Sequence, residues 1–294
     1  MSKLRTILEL SRPANVITAL SDIIAGMALV GFQFGFKDYQ IKSFALLGIS
    51  SMLFYAAGII LNDIFDRKID ALERPERAIP SQKIQVWEAS VLSVIFFCLG
   101  ITLSFNVSVI SGIISIFLVI SIFSYDYIFK KNAFLGPLSM GVCRGLNLVL
   151  GSSVYELELL NTGHLAIIPI IYIFGITLIS RGEIKGENRP QLITGLILFI
   201  FVHLAQLHYG YKMNQFYFVL PFVAVHAIWL YSTLFKAIKE PQVNLIRKTV
   251  KTGVITLIFM NASWVASSGD LIMACFTAAL LPISLYLAKF FAVT

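Results

Sequence analysis

"LNDIFDRKIDALERPERAIPSQ", residues 61–82, is a charged island in an otherwise apolar chain. Asn62, Asp66 and Asp70 recur at i, i+4 and i+8. On an α-helix each four-residue step drifts only about 40° around the axis, so the three side chains project from one face. Asp63 falls off that stripe, beside Arg67, and an Asp63–Arg67 ion pair at a solvated helix end is the plain structural alternative. The stripe continues into Arg74-Pro75-Glu76-Arg77, where Pro75 and Pro80 stiffen the backbone. Oxygens on one face suit a hard cation such as Mg²⁺, which binds through a few carboxylates together with phosphate oxygens and water. Guanidinium forks beside them suit the remaining oxygens of a diphosphate.

The surroundings of this island decide the fold class. The 294 residues are 57% hydrophobic and 13% charged, with mean hydropathy +0.83. A soluble domain carries roughly 25% charged residues, so the deficit points to lipid as the solvent. Apolar segments near the length needed to cross a bilayer, roughly 20 residues, recur at about 13–34, 41–62, 86–105, 107–129, 133–154, 163–180, 191–209, 214–235, 250–268 and 271–291. Only Ser267 to Asp270 divide the last two, so the count is nine to ten. The expected fold is all-α: a polytopic transmembrane helix bundle, one domain over residues 1–294, with a C-terminal hairpin at 250–291. The first apolar run is of spanning length and ends without a small-residue cleavage site, so it reads as helix one rather than a signal peptide.

With the N-terminus in the cytoplasm and sides alternating, nineteen of the 23 Lys and Arg residues fall inside. Lys37, Lys42 and Lys212 fall outside, and Arg144 lies within a span. This positive-inside split accounts for the net charge of +7 and argues against nucleic-acid binding. It places both termini and the loops 61–83 and 180–190 on the cytoplasmic side of a cell membrane, bacterial or archaeal. Cys98, Cys143 and Cys275 sit in apolar spans without metal-type spacing and read as packing residues. His203 and His208 are five apart, which does not stack a metal pair on one helix face.

The second polar loop, "SRGEIKGENRP" (180–190), repeats the theme. Glu183 and Glu187 are spaced i, i+4 among Arg181, Lys185 and Arg189, although Gly182 and Gly186 oppose a stable helix. Both polar loops follow even-numbered spans, which hints at an old parallel duplication and leaves no sign of the inverted repeat of many secondary transporters. Asp22, Arg144 and Asn147 lie at membrane depth, where polar groups are costly. An Asp22–Arg144 pair and an acceptor-binding role are both open readings.

"NDIFDRKIDALERPERAIP" closely resembles the first signature of the UbiA-type intramembrane prenyltransferases. "RPAN" (Arg12 to Asn15) and "YDYIFKK" (Tyr125 to Lys131) fall where that family places related pieces, and the resemblance spans roughly residues 8 to 265. The second signature departs from the family's Asp-rich form, carrying Glu183 and Glu187 instead, and the family has nine helices. "MGVCRGLNLVLG" and "ISRGEIKGE" look most like a divergent, EboC-like subgroup. The resemblance implies transfer of a prenyl group from a prenyl diphosphate to an aromatic, small or lipid acceptor. It implies Mg²⁺ held by Asn62, Asp66 and Asp70, and secondarily by Glu183 and Glu187. Asp66, Asp70, Lys130 and Tyr125 would be catalytic. Arg74, Arg77, Arg12, Asn15, Arg189 and Arg144 would bind substrate. A membrane protein that binds prenyl diphosphate, or exports a lipid-like metabolite, without turnover is the competing reading.

Overall fold

The computed structural model describes residues 3–35, 37–183 and 189–291. Twelve α-helices are present among them, and no strand. α1 (Lys3–Ser11) precedes α2 (Pro13–Leu29). α3 (Asp38–Glu73), α4 (Val86–Phe105), α5 (Val109–Ser124) and α6 (Leu135–Ser152) follow. The short α7 (Glu156–Thr162) leads into α8 (Ile167–Ser180), and α9 (Arg189–Lys212), α10 (Phe216–Lys239), α11 (Val243–Ser267) and α12 (Leu271–Leu287) complete the bundle.

Each expected apolar segment overlaps a helix, but the structure does not confirm nine to ten spans. Among the described residues seven helices are long and apolar enough to cross a membrane, while α2 and α12 are shorter apolar helices. α2 stops at Leu29 because Gly31 takes a left-handed turn, φ 73°. Large apolar side chains such as Val94, Phe117, Ile197 and Ile228 stay exposed on outer faces, as lipid requires and water would not. Cys98 and Cys275 also lie on exposed faces rather than in the packed interior.

α2 and α11 form the centre. α11 is 78% buried along its apolar window, and it packs on α2, α8, α10 and α12. The C-terminal hairpin is therefore an integral part of the bundle rather than an appendage: α12 packs on α2, where Ser284 Oγ donates to Ala14 O at 2.7 Å. α2 and α6 approach closely through glycine. A Cβ on Gly26 would sit 2.1 Å from Leu148 O, and one on Gly151 would sit 2.5 Å from Ile23 O. Small residues that let backbones meet are how helices associate where lipid removes the hydrophobic drive.

Buried polar networks tie the helices at mid-depth. Asp22 Oδ2 lies 2.7 Å from Arg144 Nε and accepts from Asn147 Nδ2 at 2.8 Å, while Oδ1 accepts from Asn261 Nδ2 at 2.7 Å. Across the bundle, His203 bridges Tyr231 (2.7 Å) and His226 (3.1 Å), and His226 meets Tyr172 at 3.0 Å. His203 thus pairs with a histidine on the next helix, and His208 has no part in the chain.

Candidate active site

α3 carries the first polar motif. Its 36 residues reach about 54 Å at 1.5 Å per residue, against a hydrocarbon core of about 30 Å. Asn62 to Asp70 therefore continue the spanning helix as its last turns, not as a separate loop. They overhang a chamber of 390 Å³ inside the bundle. Polar side chains ring its mouth: Arg12, Asn62, Asp66, Arg74, Arg77 and Lys130. Below them the wall is apolar, including Phe54, Leu118, Ile122, Ile176 and Leu257. Asn15, Tyr125, Asp126, Arg144 and Asn147 also line it.

At the mouth, Asn62 and Asp66 converge on one cation. Lys130 Nζ donates to Asn62 Oδ1 at 2.5 Å and to Asp66 Oδ2, and Asn62 Nδ2 donates to Asp66 at 3.3 Å. Lys130 reaches them because α5 ends in a π-turn, Tyr125–Phe129, closed by Lys130 N donating to Tyr125 O at 2.8 Å. One added residue per turn sets Tyr125 and Lys130 on the chamber side together. Arg181, just past α8, holds the following turn by donating to Lys130 O at 3.2 Å and to Asn132 O. The start of the second polar segment thus lies at the same end of the bundle as the first.

Asp70 departs from the expected oxygen stripe. It does not line the chamber; its Oδ2 accepts from Arg77 Nη1 at 2.7 Å. Two 40° steps rotate it about 80° from Asn62, which is enough to turn it to the 74–83 loop. Asp63, expected beside Arg67, instead anchors a four-residue clasp. Its Oδ1 accepts from Arg12 Nη2 at 2.6 Å and from Arg77 Nη1 at 3.2 Å, while Arg67 donates to Ile64 O at 2.9 Å. Arg12 is aimed there by a left-handed backbone, φ 47°, at the cap of α2, a conformation that costs a non-glycine residue energy and gathers at functional sites. Burial pulls the Arg12 guanidinium below its ordinary pKa; Asp63 opposes this, and nearby Arg77 and Arg74 add to it. Three guanidiniums therefore share one small region. Arg74 has no carboxylate partner among the described residues.

Arg189 is exposed at the first turn of α9 and does not line the chamber. The backbone at Glu183 belongs to a 3-10 turn, Arg181–Glu183, while Glu187 lies outside the described residues. Arg144 lines the chamber, with its charge met by Asp22 and its guanidinium carbon 5.6 Å from the Tyr55 ring centre. Sequence spacing alone missed Asp63 as an anchor and Asp126 as a lining group; both depend on contacts across the bundle.

Among the described residues no cluster of three or more His, Cys, Asp or Glu side chains is arranged to hold a metal. Asn62 and Asp66 nonetheless suit Mg²⁺. Their oxygens already converge on the Lys130 ammonium, and Mg²⁺ is typically held by one or two carboxylates plus substrate phosphates rather than by a protein cage.

The profile of the UbiA prenyltransferase family matches residues 20–238. The digeranylgeranylglyceryl phosphate synthase of Methanosarcina barkeri is 32% identical over 166 residues, covering 53% of this chain and 57% of that protein. The synthase of the same name from Saccharolobus solfataricus is 33% identical over 184 residues, 62% of each. The chain thus spans about three fifths of the length of these curated relatives. A solved structure concerned with digeranylgeranylglyceryl phosphate synthase aligns with TM-score 0.66 and 23% identity, covering 91% of this chain and 99% of that one. A UbiA homologue from Archaeoglobus fulgidus bound to GPP and Mg²⁺ aligns with TM-score 0.64 and 15% identity, again covering 91% and 99%. At such identities the structural matches show a shared fold.

Proposed function

The chain belongs to the UbiA prenyltransferase family, and on that premise we propose that it transfers a prenyl group from a prenyl diphosphate to an acceptor within the membrane, with Mg²⁺. The observation that carries this reading is the convergence of Asn62, Asp66 and Lys130, with Arg74 alongside, over an apolar chamber. The polar mouth fits a diphosphate and the greasy wall fits an isoprenoid tail. Asn62 and Asp66 would hold Mg²⁺, with Glu183 and Glu187 as secondary candidates. When bound, the ion supplies charge stabilisation to the leaving diphosphate. Lys130, Arg74 and Arg77 provide fixed positive charge where negative charge grows, which is commonly the largest catalytic term. The dry wall keeps water from an allylic carbon as its bond to oxygen breaks, and Tyr125 sets an aromatic group beside it. Asp70 holds Arg77 and does not meet the chamber, whereas Arg12 holds Asp63 and also lines the mouth.

For the acceptor we propose an alcohol of a phosphoglyceryl lipid, on the support of the relatives' names. The narrower EboC-like placement rests on the sequence strings alone. Both termini and the two motif segments belong on the cytoplasmic side by their basic residues. The experiment is incubation of the purified protein with labelled geranylgeranyl diphosphate and Mg²⁺. Geranylgeranylglyceryl phosphate is added in one arm and an aromatic acid in another. A new labelled lipid in the first arm, absent with Asp66→Ala, supports the reading. Binding of the diphosphate without product in either arm would instead favour the non-turnover alternative.

A further inference from the structure

One charged chamber group is unaccounted for by this scheme. Asp126 sits in the π-turn, is 8% exposed and lines the chamber. Its Oδ1 has no hydrogen-bond partner among the described residues. Of the other charges lining the chamber, Asp66 is engaged by Lys130, Arg12 and Arg77 by Asp63, and Arg144 by Asp22, while Arg74 has no carboxylate partner among the described residues. Buried polar atoms are nearly always paired, and a carboxyl group at membrane depth is costly enough that one without a partner marks a place where something binds or reacts.

Its position says what. α5 runs toward the chamber mouth and continues through the π-turn to Lys130, which grips the Asn62–Asp66 pair. Asp126 lies four residues earlier on that wall, one turn deeper. A prenyl diphosphate with its phosphates at the mouth and its tail among Phe54, Leu118 and Ile122 would carry its reacting carbon just below the phosphates, in the chamber that Asp126 also lines.

Resting on the prenyl-transfer reading, we propose that Asp126 is the general base that takes the acceptor's proton. The bond between the allylic carbon and the diphosphate oxygen breaks, and its electron pair leaves with pyrophosphate. A lone pair of the acceptor oxygen forms the new carbon–oxygen bond. The acceptor's O–H pair stays on that oxygen, and its proton passes to the Asp126 carboxylate, then to water on product release. Nothing is oxidised or reduced. Asp126 thereby separates transfer from ionisation, because departure of diphosphate needs only the mouth.

The test uses Asp126→Asn and Asp126→Ala in the full chain, with labelled geranylgeranyl diphosphate, Mg²⁺ and geranylgeranylglyceryl phosphate. Two products are counted: the ether lipid, and the prenyl alcohol formed by slow hydrolysis without acceptor. General-base loss predicts that transfer falls by about 10²–10⁴-fold. Hydrolysis and the Mg²⁺ concentration for half-maximal rate should stay at wild-type values. Thermal stability should be unchanged or higher, since Asn removes a buried charge and no hydrogen bond. Unchanged transfer overturns the proposal. So does a parallel fall in transfer and hydrolysis with a raised Mg²⁺ requirement, which would make Asp126 a metal oxygen. Loss of folding in both variants overturns it in favour of a structural role. Wild-type protein that forms no ether lipid overturns the transfer reading itself, before any variant is compared.

Discussion

Replacing Asp22 with Ala isolates the polar network at the bundle's centre. Asp22 is fully buried and receives Arg144 at 2.7 Å, with Asn147 and Asn261 as its other partners. Both amides keep a second acceptor: Asn147 Nδ2 reaches Ala19 O at 3.1 Å, and Asn261 Nδ2 reaches Ser21 Oγ at 2.7 Å. Their loss is therefore small, and the cost is that of stranding Arg144, whose side chain is 7% exposed. Removing one partner of a buried pair costs about 3–5 kcal/mol. Arg144 keeps Thr18 O at 2.7 Å, which sets the expectation at the low end, about 3 kcal/mol. Removing both charges, Asp22→Ala with Arg144→Met, strands nothing, so the double variant should recover about 1–3 kcal/mol relative to the sum of the singles. Equilibrium unfolding in mixed detergent micelles measures all four corners of the cycle. Additive single effects, or a wild-type-like Asp22→Ala, would refute the pairing as the network's organising contact.

Gly26→Ala should cost about 1–3 kcal/mol in the same unfolding assay, because its Cβ meets the Leu148 and Ser152 backbones; Gly163→Ala, with Leu159 Cδ1 3.7 Å away, is the tolerated control. Lys130→Met should slow diphosphate release from geranylgeranyl diphosphate at saturating Mg²⁺ by about 10²–10³-fold, the loss expected for one electrostatic donor, while the exposed Lys131→Met leaves it unchanged.

Much of the architecture is written in the chain's local pattern. Apolar runs near bilayer length locate the helices, and four-residue spacing brings Asn62 and Asp66 to one cation. Local pattern fails where contacts are distant. Asp63 is met by Arg12, fifty-one positions away, so its role as an anchor has no signature within its own segment. Asp70 shows how drift accumulates: a stripe good for one step is misaligned after two. Asp126 is flanked by residues that look like any aromatic helix end, and only the packed chamber reveals that its oxygen has no partner. The C-terminal hairpin, outside the matched family range of 20–238, still supplies Val254 and Leu257 to the chamber, which spacing cannot show.

The widened turn at Tyr125–Phe129 makes the bundle intolerant of length changes at that spot. Dropping a single residue would restore ordinary winding and swing the Lys130 ammonium about 100° around the axis, away from Asn62 and Asp66. Insertions and deletions among descendants of this gene should therefore avoid this five-residue window, even while the lipid-facing ends of the same helix drift freely.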